Sequence, residues 1–294
     1  MNLFADLPDG VVEVDAPLSP LTWFRLGGRA DYLIRPQDDE QLSLIVRRCE
    51  ERQIPIHTLG LGANILVPDE GVRGVVLRLD APFFSGFQLT DEALIAGGGA
   101  DMTAIVKRCV REGLAGLEQL AGIPGTVGGG IAMNCGGRYG DISAAVVAAE
   151  TVDPHGVRRV MTPSDLGFGY RRSSVGDRIV TRVTFGLQKT EVDTLRARFR
   201  EIWDYKHSTQ PSLGALSVGC IFRNPAGDSA GRLIDSAGLK GLRIGSAFVS
   251  EQHANFAMAD RGGNATDVRR LIDCVRDRVE DFCGIRLEPE VKLW

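Results

Sequence analysis

The part of this chain best suited to chemistry is main chain rather than side chain. Starting at Gly122, Ile123, Pro124 and Gly125, and running through Gly128, Gly129 and Asn134, seven of sixteen residues are glycine, and the stretch continues to Gly140. Glycine allows positive φ and lets a bulky partner reach backbone N–H groups, at an entropic cost that a plain connection has no reason to bear. Successive N–H groups freed in this way make a concave anion site. The stretch lies between apolar segments and carries few charges, so a partner pressed against the backbone is one reading and a run of tight turns is the other.

Six cysteines, at 49, 109, 135, 220, 274 and 283, form no C-x-x-C pair, and no histidine spacing suits zinc, so no metal site is expected. Cys49, Cys109 and Cys274 fall on apolar faces of helical patterns, as small core residues do, and reduced thiols fit best. With 34 Lys+Arg against 38 Asp+Glu in 294 residues, the formal charge of -4 offers neither a nucleic-acid footprint nor a polybasic membrane patch. No segment approaches the ~18 apolar residues of a membrane span. The first fourteen residues show no basic region followed by an apolar one, so a cytoplasmic protein is expected.

The elements that must position the glycines alternate in type. A strand ends at Pro36, and Asp38, Asp39 and Glu40 suit the start of a helix whose apolar positions are Leu42, Ile45, Val46 and Cys49. Strands are expected at 54–59 and 72–79, giving a β-α-β unit. Gly60, Leu61, Gly62 imitates a dinucleotide loop but lacks the third glycine and a following helix. Residues 96–101 form a second such decoy, between a strand and a helix carrying Met102, Ile105, Val106 and Cys109. No G-x-x-x-x-G-K-[ST] occurs, so neither a Rossmann site nor a P-loop is supported. Strands are expected at 144–152, 157–161 and 179–188, a helix from Val192 to about 206, and a domain boundary between 190 and 210. A short helix near 231–236, mixed strands to Ala259, a helix with Val268, Leu271, Ile272, Val275 and Val279, and a closing strand complete the chain.

Taken in order, the motifs resemble one family, the UDP-N-acetylenolpyruvoylglucosamine reductases, over nearly the whole chain. They lie at 22–28, 60–66, 116–140, 170–173, 219–225, 237–241, 253–256 and 287–292. The resemblance implies an α+β chain: a two-subdomain FAD-binding fold of the vanillyl-alcohol-oxidase type plus a C-terminal α+β substrate domain. The expected divisions are 1–80, 81–200 and 201–294. Non-covalent FAD is expected against Gly60, Leu61, Gly62, Ala63, Asn64 and Ile65, and against Gly122, Ile123, Pro124, Gly125, Gly128, Gly129, Asn134 and Gly140. Asn64 and Asn134 are the expected side-chain donors, each with the alternative of capping its own turn. His57 has no matching role and is taken as structural.

The family's reaction is reduction of UDP-N-acetylglucosamine enolpyruvate to UDP-N-acetylmuramate for peptidoglycan. NADPH passes a hydride to FAD, and flavin N5 delivers it to C3 of the substrate. Negative charge then builds on the carboxylate side of C2, so the site needs cationic groups there and a proton donor for C2. By resemblance Arg171 is the carboxylate clamp, and Glu290 the catalytic glutamate, with Glu288 as the neighbouring alternative. Cys220 stands where the family pattern usually has a serine acid. A thiol, with a reference pKa of ~8.5, is protonated at neutral pH and is the better acid, so the role survives the exchange. The alternative is that Cys220 only packs. Tyr170, Arg223, Asn224 and His253 are the expected substrate-binding residues, with Lys206 and Lys240 as weaker candidates. Residue 171 leads to Phe185 without an inserted tyrosine loop, which marks the family's short form. Two rivals are a flavoprotein oxidase of the same fold, which would carry a covalent-flavin histidine that neither His57 nor His155 matches, and a non-catalytic flavin-binding paralogue.

Overall fold

The computed structural model describes residues 3–212 and 214–294. The chain divides into two compact units. One comprises the chain up to Asp15, Asp31–Gly60 and Arg73–Lys206; the other comprises Ala16–Ala30, Leu61–Val72 and His207–Trp294.

The first unit holds two larger sheets and two short two-stranded pairs. A four-stranded sheet runs in the order Val12–Pro17, Arg29–Ile34, Val72–Leu77, Ile56–Thr58, the last two parallel. The helix Asp39–Glu51 starts where Asp38 accepts the Gln41 amide, and buries Leu42, Ile45, Val46 and Cys49. Phe4, Ile34, Val75, Leu77 and Phe84 share that core. A five-stranded sheet follows, in the order Arg158–Met161, Val146–Val152, Ile179–Gly186, Ala93–Gly97, Phe87–Leu89, antiparallel throughout. The helix Met102–Arg111, capped by Asp101, closes its inner face with Met102, Ile105, Val106 and Cys109.

The glycine-rich stretch is more than a run of tight turns. A helix, Val127–Ala132, runs through it despite three glycines, started by Thr126 accepting the Gly129 amide. The reason is close packing. A Cβ at Gly128 would stand 3.0 Å from the Gly98 carbonyl oxygen, and one at Gly130 would stand 2.9 Å from Met102 Cε and 3.0 Å from Cys135 Sγ. The amide of Gly128 donates to Gly98 O at 2.7 Å, that of Val127 to Ala100 O at 3.0 Å, and that of Met102 to Gly125 O at 3.0 Å. Residues 97–100 and 125–128 are therefore knitted main chain to main chain, an approach only glycine permits.

The second unit surrounds the helix Ala265–Cys283, whose Val268, Leu271, Ile272, Val275 and Val279 are buried with Phe24, Leu26, Leu66, Ile221, Phe222 and Val249. Asp69 accepts the Ala265 and Thr266 amides at the start of that helix, at 2.7 and 2.9 Å. A three-stranded sheet, Arg243–Ile244, Ala247–Val249 and Ala257–Ala259, packs on it, and Lys292–Leu293 pairs in parallel with Ile65–Leu66. Among the described residues no helix is long and apolar enough to cross a membrane, and no group of three or more His, Cys, Asp or Glu is arranged to hold a metal ion.

Candidate active site

In the second unit, short extended segments lie side by side. Phe256 bridges to Cys220, and the Ile221 amide donates to Asn255 O at 2.9 Å. On its other side the same segment bridges from Phe222 to Pro289; the Glu290 amide donates to Ile221 O at 2.8 Å and the Arg223 amide to Glu288 O at 2.9 Å. Beyond that, the Lys292 amide donates to Asn64 O at 3.0 Å, and Asn64 Nδ2 donates to Glu290 O at 3.2 Å. Cys220, Glu290 and Asn64, remote in sequence, thus sit on adjacent backbone.

Asn255, 2% exposed, locks this arrangement. Its Oδ1 accepts the Phe222 amide at 3.0 Å and its Nδ2 donates to Phe222 O at 2.8 Å, so one side chain satisfies both main-chain groups of Phe222. The motif at 253–256 signals this residue in the sequence, yet reasoning from candidate ligands passes over it. His253 is half-buried; burial holds its pKa below the ordinary value, and Nδ1 accepts the Asn255 amide at 3.2 Å. The neutral ring then carries its proton on Nε2. Arg223 lies 3.7 Å from Glu288, and Asn224 Oδ1 accepts the Ala230 amide at 3.0 Å, at the start of the helix Ala230–Ser236.

In the first unit, Tyr170 and Arg171 form the tip of a two-residue turn. The Gly169 amide donates to Arg172 O at 3.0 Å and the Arg172 amide to Gly169 O at 3.2 Å. Arg171 has φ +54°, a conformation costly for a side-chain-bearing residue. Its guanidinium donates to Gly136 O at 2.7 Å and lies 5.2 Å from the ring of Tyr170, which is 53% exposed. Asn134, buried and at φ +44°, braces this turn: Nδ2 donates to Gly169 O at 3.0 Å while Oδ1 accepts the Ser143 amide at 3.3 Å. The expected flavin donors Asn64 and Asn134 thus both hold neighbouring backbone in place.

Lys206, near the end of the helix Val192–Thr209, donates to Ala121 O at 2.6 Å. Burial pushes its pKa down to about 8. Cys135 is buried beside it, its thiol pushed up to about 12 by the same cause.

Family models match the chain in two places. One, the FAD binding domain, covers residues 30–161, and the other, UDP-N-acetylenolpyruvoylglucosamine reductase, C-terminal domain, covers residues 210–294. UDP-N-acetylenolpyruvoylglucosamine reductase 2 of Symbiobacterium thermophilum is 41% identical over 280 residues, 95% of this chain and 90% of that protein. The chain belongs to the UDP-N-acetylenolpyruvoylglucosamine reductase family. The solved UDP-N-acetylenolpyruvylglucosamine reductase from Thermus caldophilus superposes with a TM-score of 0.84 at 36% identity, covering 96% of this chain and 99% of that one. Phl p 4.0202, a glucose dehydrogenase, is alike in fold alone, with a TM-score of 0.53 at 14% identity over 97% of this chain and 62% of that chain. The fold is the α+β, FAD-binding, vanillyl-alcohol-oxidase type with the family's own C-terminal domain, and the chain is a flavin oxidoreductase with FAD as cofactor.

The residues present fit that cofactor. A Cβ added at Gly125, where φ is +137°, or at Gly137 would meet nothing within 4 Å, and one at Gly129 would meet only Thr126 Oγ1 at 3.3 Å. Main chain there borders open space beside the cations Arg171 and Lys206, a donor set suited to an anionic dinucleotide. By contrast, Gly60 and Gly62 lack side chains because of packing: an added Cβ would stand 2.6 Å from Thr126 Oγ1 and 2.5 Å from Leu21 O, respectively.

Proposed function

We propose that the chain reduces UDP-N-acetylglucosamine enolpyruvate to UDP-N-acetylmuramate with NADPH and FAD, in the cytoplasm, as a step of peptidoglycan precursor synthesis. The observation that carries the site assignment is the pairing of Ile221 with both Asn255 and Glu290, which sets a thiol and a carboxyl on neighbouring backbone in the unit holding the family's C-terminal domain. FAD, when bound, supplies the hydride that it takes from NADPH and that ends on C3 of the enolpyruvyl group.

In this reading residues 1–80 and 81–200 hold FAD, and 201–294 hold the sugar nucleotide. Gly125, Gly128, Gly129 and Gly140, with Gly122, Ile123 and Pro124, present backbone to the cofactor, and Gly60, Leu61, Gly62, Ala63 and Ile65 do the same from the other turn. Asn64 and Asn134 act by fixing the segments that carry Glu290 and Arg171, as their hydrogen bonds indicate. Arg171 takes the substrate carboxylate with its planar fork, an interaction that strengthens as charge develops. Glu290 polarises the same end of the substrate. Cys220 gives its proton to C2, so the hydride at C3 and the proton at C2 together saturate the double bond. Tyr170, Arg223, Asn224 and His253 bind the substrate; His253 Nε2–H is a donor for a phosphate or sugar oxygen.

The role of Cys220 is tested by Cys220→Ala in separated half-reactions. Flavin reduction by NADPH persists, while reoxidation by the enolpyruvyl substrate falls by at least ~100-fold, the usual worth of a general acid. If both half-reactions stay near wild type, another group protonates C2.

A further inference from the structure

The motif at 170–173 ends on a serine that the reaction described above does not use. Ser173 is half-buried, and its Oγ donates to Ala132 O at 3.0 Å. That carbonyl closes the helix Val127–Ala132, and the last carbonyls of a helix have no partner inside it. Ser173 gives this acceptor a hydrogen bond from 41 residues further along the chain.

The same helix end holds the 169–172 turn a second time. The Asn134 amide donates to Ile131 O at 3.2 Å and the Cys135 amide to Gly130 O at 2.9 Å, the paired bonds of a left-handed helix cap. The left-handed position of such a cap favours glycine, and this stretch is rich in glycine, yet asparagine stands there at φ +44°. Its side chain accounts for the choice: Nδ2 reaches Gly169 O at 3.0 Å, while Oδ1 accepts the Ser143 amide at 3.3 Å. Two residues on, Gly136 O accepts a hydrogen bond from the Arg171 guanidinium at 2.7 Å. Positions 132, 134 and 136 are thus joined to 173, 169 and 171 in turn. The bonds to Ser173 and Gly169 flank the tip of the turn, where Arg171 has φ +54°. A residue in that conformation persists only where its surroundings over-determine it, and the flanking bonds do so here. The helix carries the constraint onward to Gly129, where an added Cβ would meet only Thr126 Oγ1 at 3.3 Å, the side left open for the cofactor.

We infer that Ser173 is a positioning residue for Arg171: by tying the turn to the end of the helix Val127–Ala132, it fixes where the guanidinium stands relative to the backbone that the cofactor occupies. The inference rests on the reading of Arg171 as the clamp for the substrate carboxylate. Substrate then meets an arginine already in place, which spares the cost of ordering it during the reaction. Removing the Ser173 hydroxyl frees one flank of the turn, and the guanidinium spends less time where charge develops.

The test is a double-mutant cycle on FAD-loaded protein, as wild type, Ser173→Ala, Ser173→Thr, Arg171→Ala and the double variant Ser173→Ala with Arg171→Ala. Each is reduced by NADPH without oxygen and then mixed with the enolpyruvyl nucleotide over a range of concentrations. In Ser173→Ala the maximal rate of reoxidation falls about tenfold, while flavin reduction by NADPH stays within about twofold of wild type. Ser173→Thr, which keeps the hydroxyl, returns reoxidation to within about threefold. In the Arg171→Ala background, loss of the hydroxyl costs less than about twofold, because the group it positions is gone. A wild-type rate of reoxidation in Ser173→Ala, or its full loss repeated without the arginine, overturns the inference and leaves the reading of Arg171 intact. An Arg171→Ala protein that is reoxidised as fast as wild type overturns both.

Discussion

The Glu290 amide donates to the carbonyl of Ile221 at 2.8 Å, and this bond sets the register that makes Cys220 and Glu290 neighbours. Nothing in the separation of the two motifs along the chain specifies that register. The side chain of Asn255 holds the other edge of the same segment, by occupying both main-chain groups of Phe222.

Asn255→Ala therefore removes two hydrogen bonds from buried backbone. The expected cost is about 2–4 kcal/mol in denaturant unfolding, as for orphaned buried polar groups. The variant also loses more in substrate turnover than in flavin reduction by NADPH, because the segment it frees carries Cys220. Equal losses in both half-reactions would mean that Asn255 serves stability alone.

The glycines of the 122–140 stretch separate into two kinds. Gly130→Ala forces a methyl against Met102 and Cys135, so it destabilises by about 1–3 kcal/mol. Gly129→Ala lies on the exposed side of the same helix and is neutral to stabilising by up to ~1 kcal/mol in apoprotein. If the cofactor lies against that side, Gly129→Ala nonetheless weakens FAD binding by tenfold or more. Thermal unfolding of apoprotein alongside FAD titration separates the two effects.

Lys206 makes a prediction for stability. Its folded pKa, about 8, lies below its unfolded value near 10.5, so between these pH values the unfolded chain binds more protons. Stability of apoprotein then rises with pH across that window, by up to about 3 kcal/mol, while the charged half-buried lysine is fully penalised below pH 8. Lys206→Met lacks this rise. Matched urea titrations at pH 7.5 and 10 give the comparison, and identical pH slopes for the two proteins would sink the assignment.

Much of this architecture is legible in the chain. The helices at Asp39–Glu51 and Met102–Arg111 announce themselves by apolar spacing and acidic caps, because both bury one stripe on a sheet. The helix Val127–Ala132 does not, since three glycines argue against any helix, and only distant contacts account for two of them: the main chain of Gly98 at Gly128, and Met102 with Cys135 at Gly130. Residues 96–101 look like a failed nucleotide loop for the same reason: their glycines make room for Val180 and Leu79 carbonyls. The candidate residues Arg171, Cys220 and Glu290 are readable through family motifs. The left-handed conformation of Arg171 and the bracing by Asn134 and Asn255 depend on contacts from distant segments, which local sequence does not carry.

The central claim is the reduction itself, and purified protein reloaded with FAD tests it without oxygen. NADPH bleaches the yellow protein, and one equivalent of UDP-N-acetylglucosamine enolpyruvate then restores the colour with formation of UDP-N-acetylmuramate. A protein that binds no FAD, or a reduced protein that the enolpyruvyl nucleotide leaves bleached, contradicts the account.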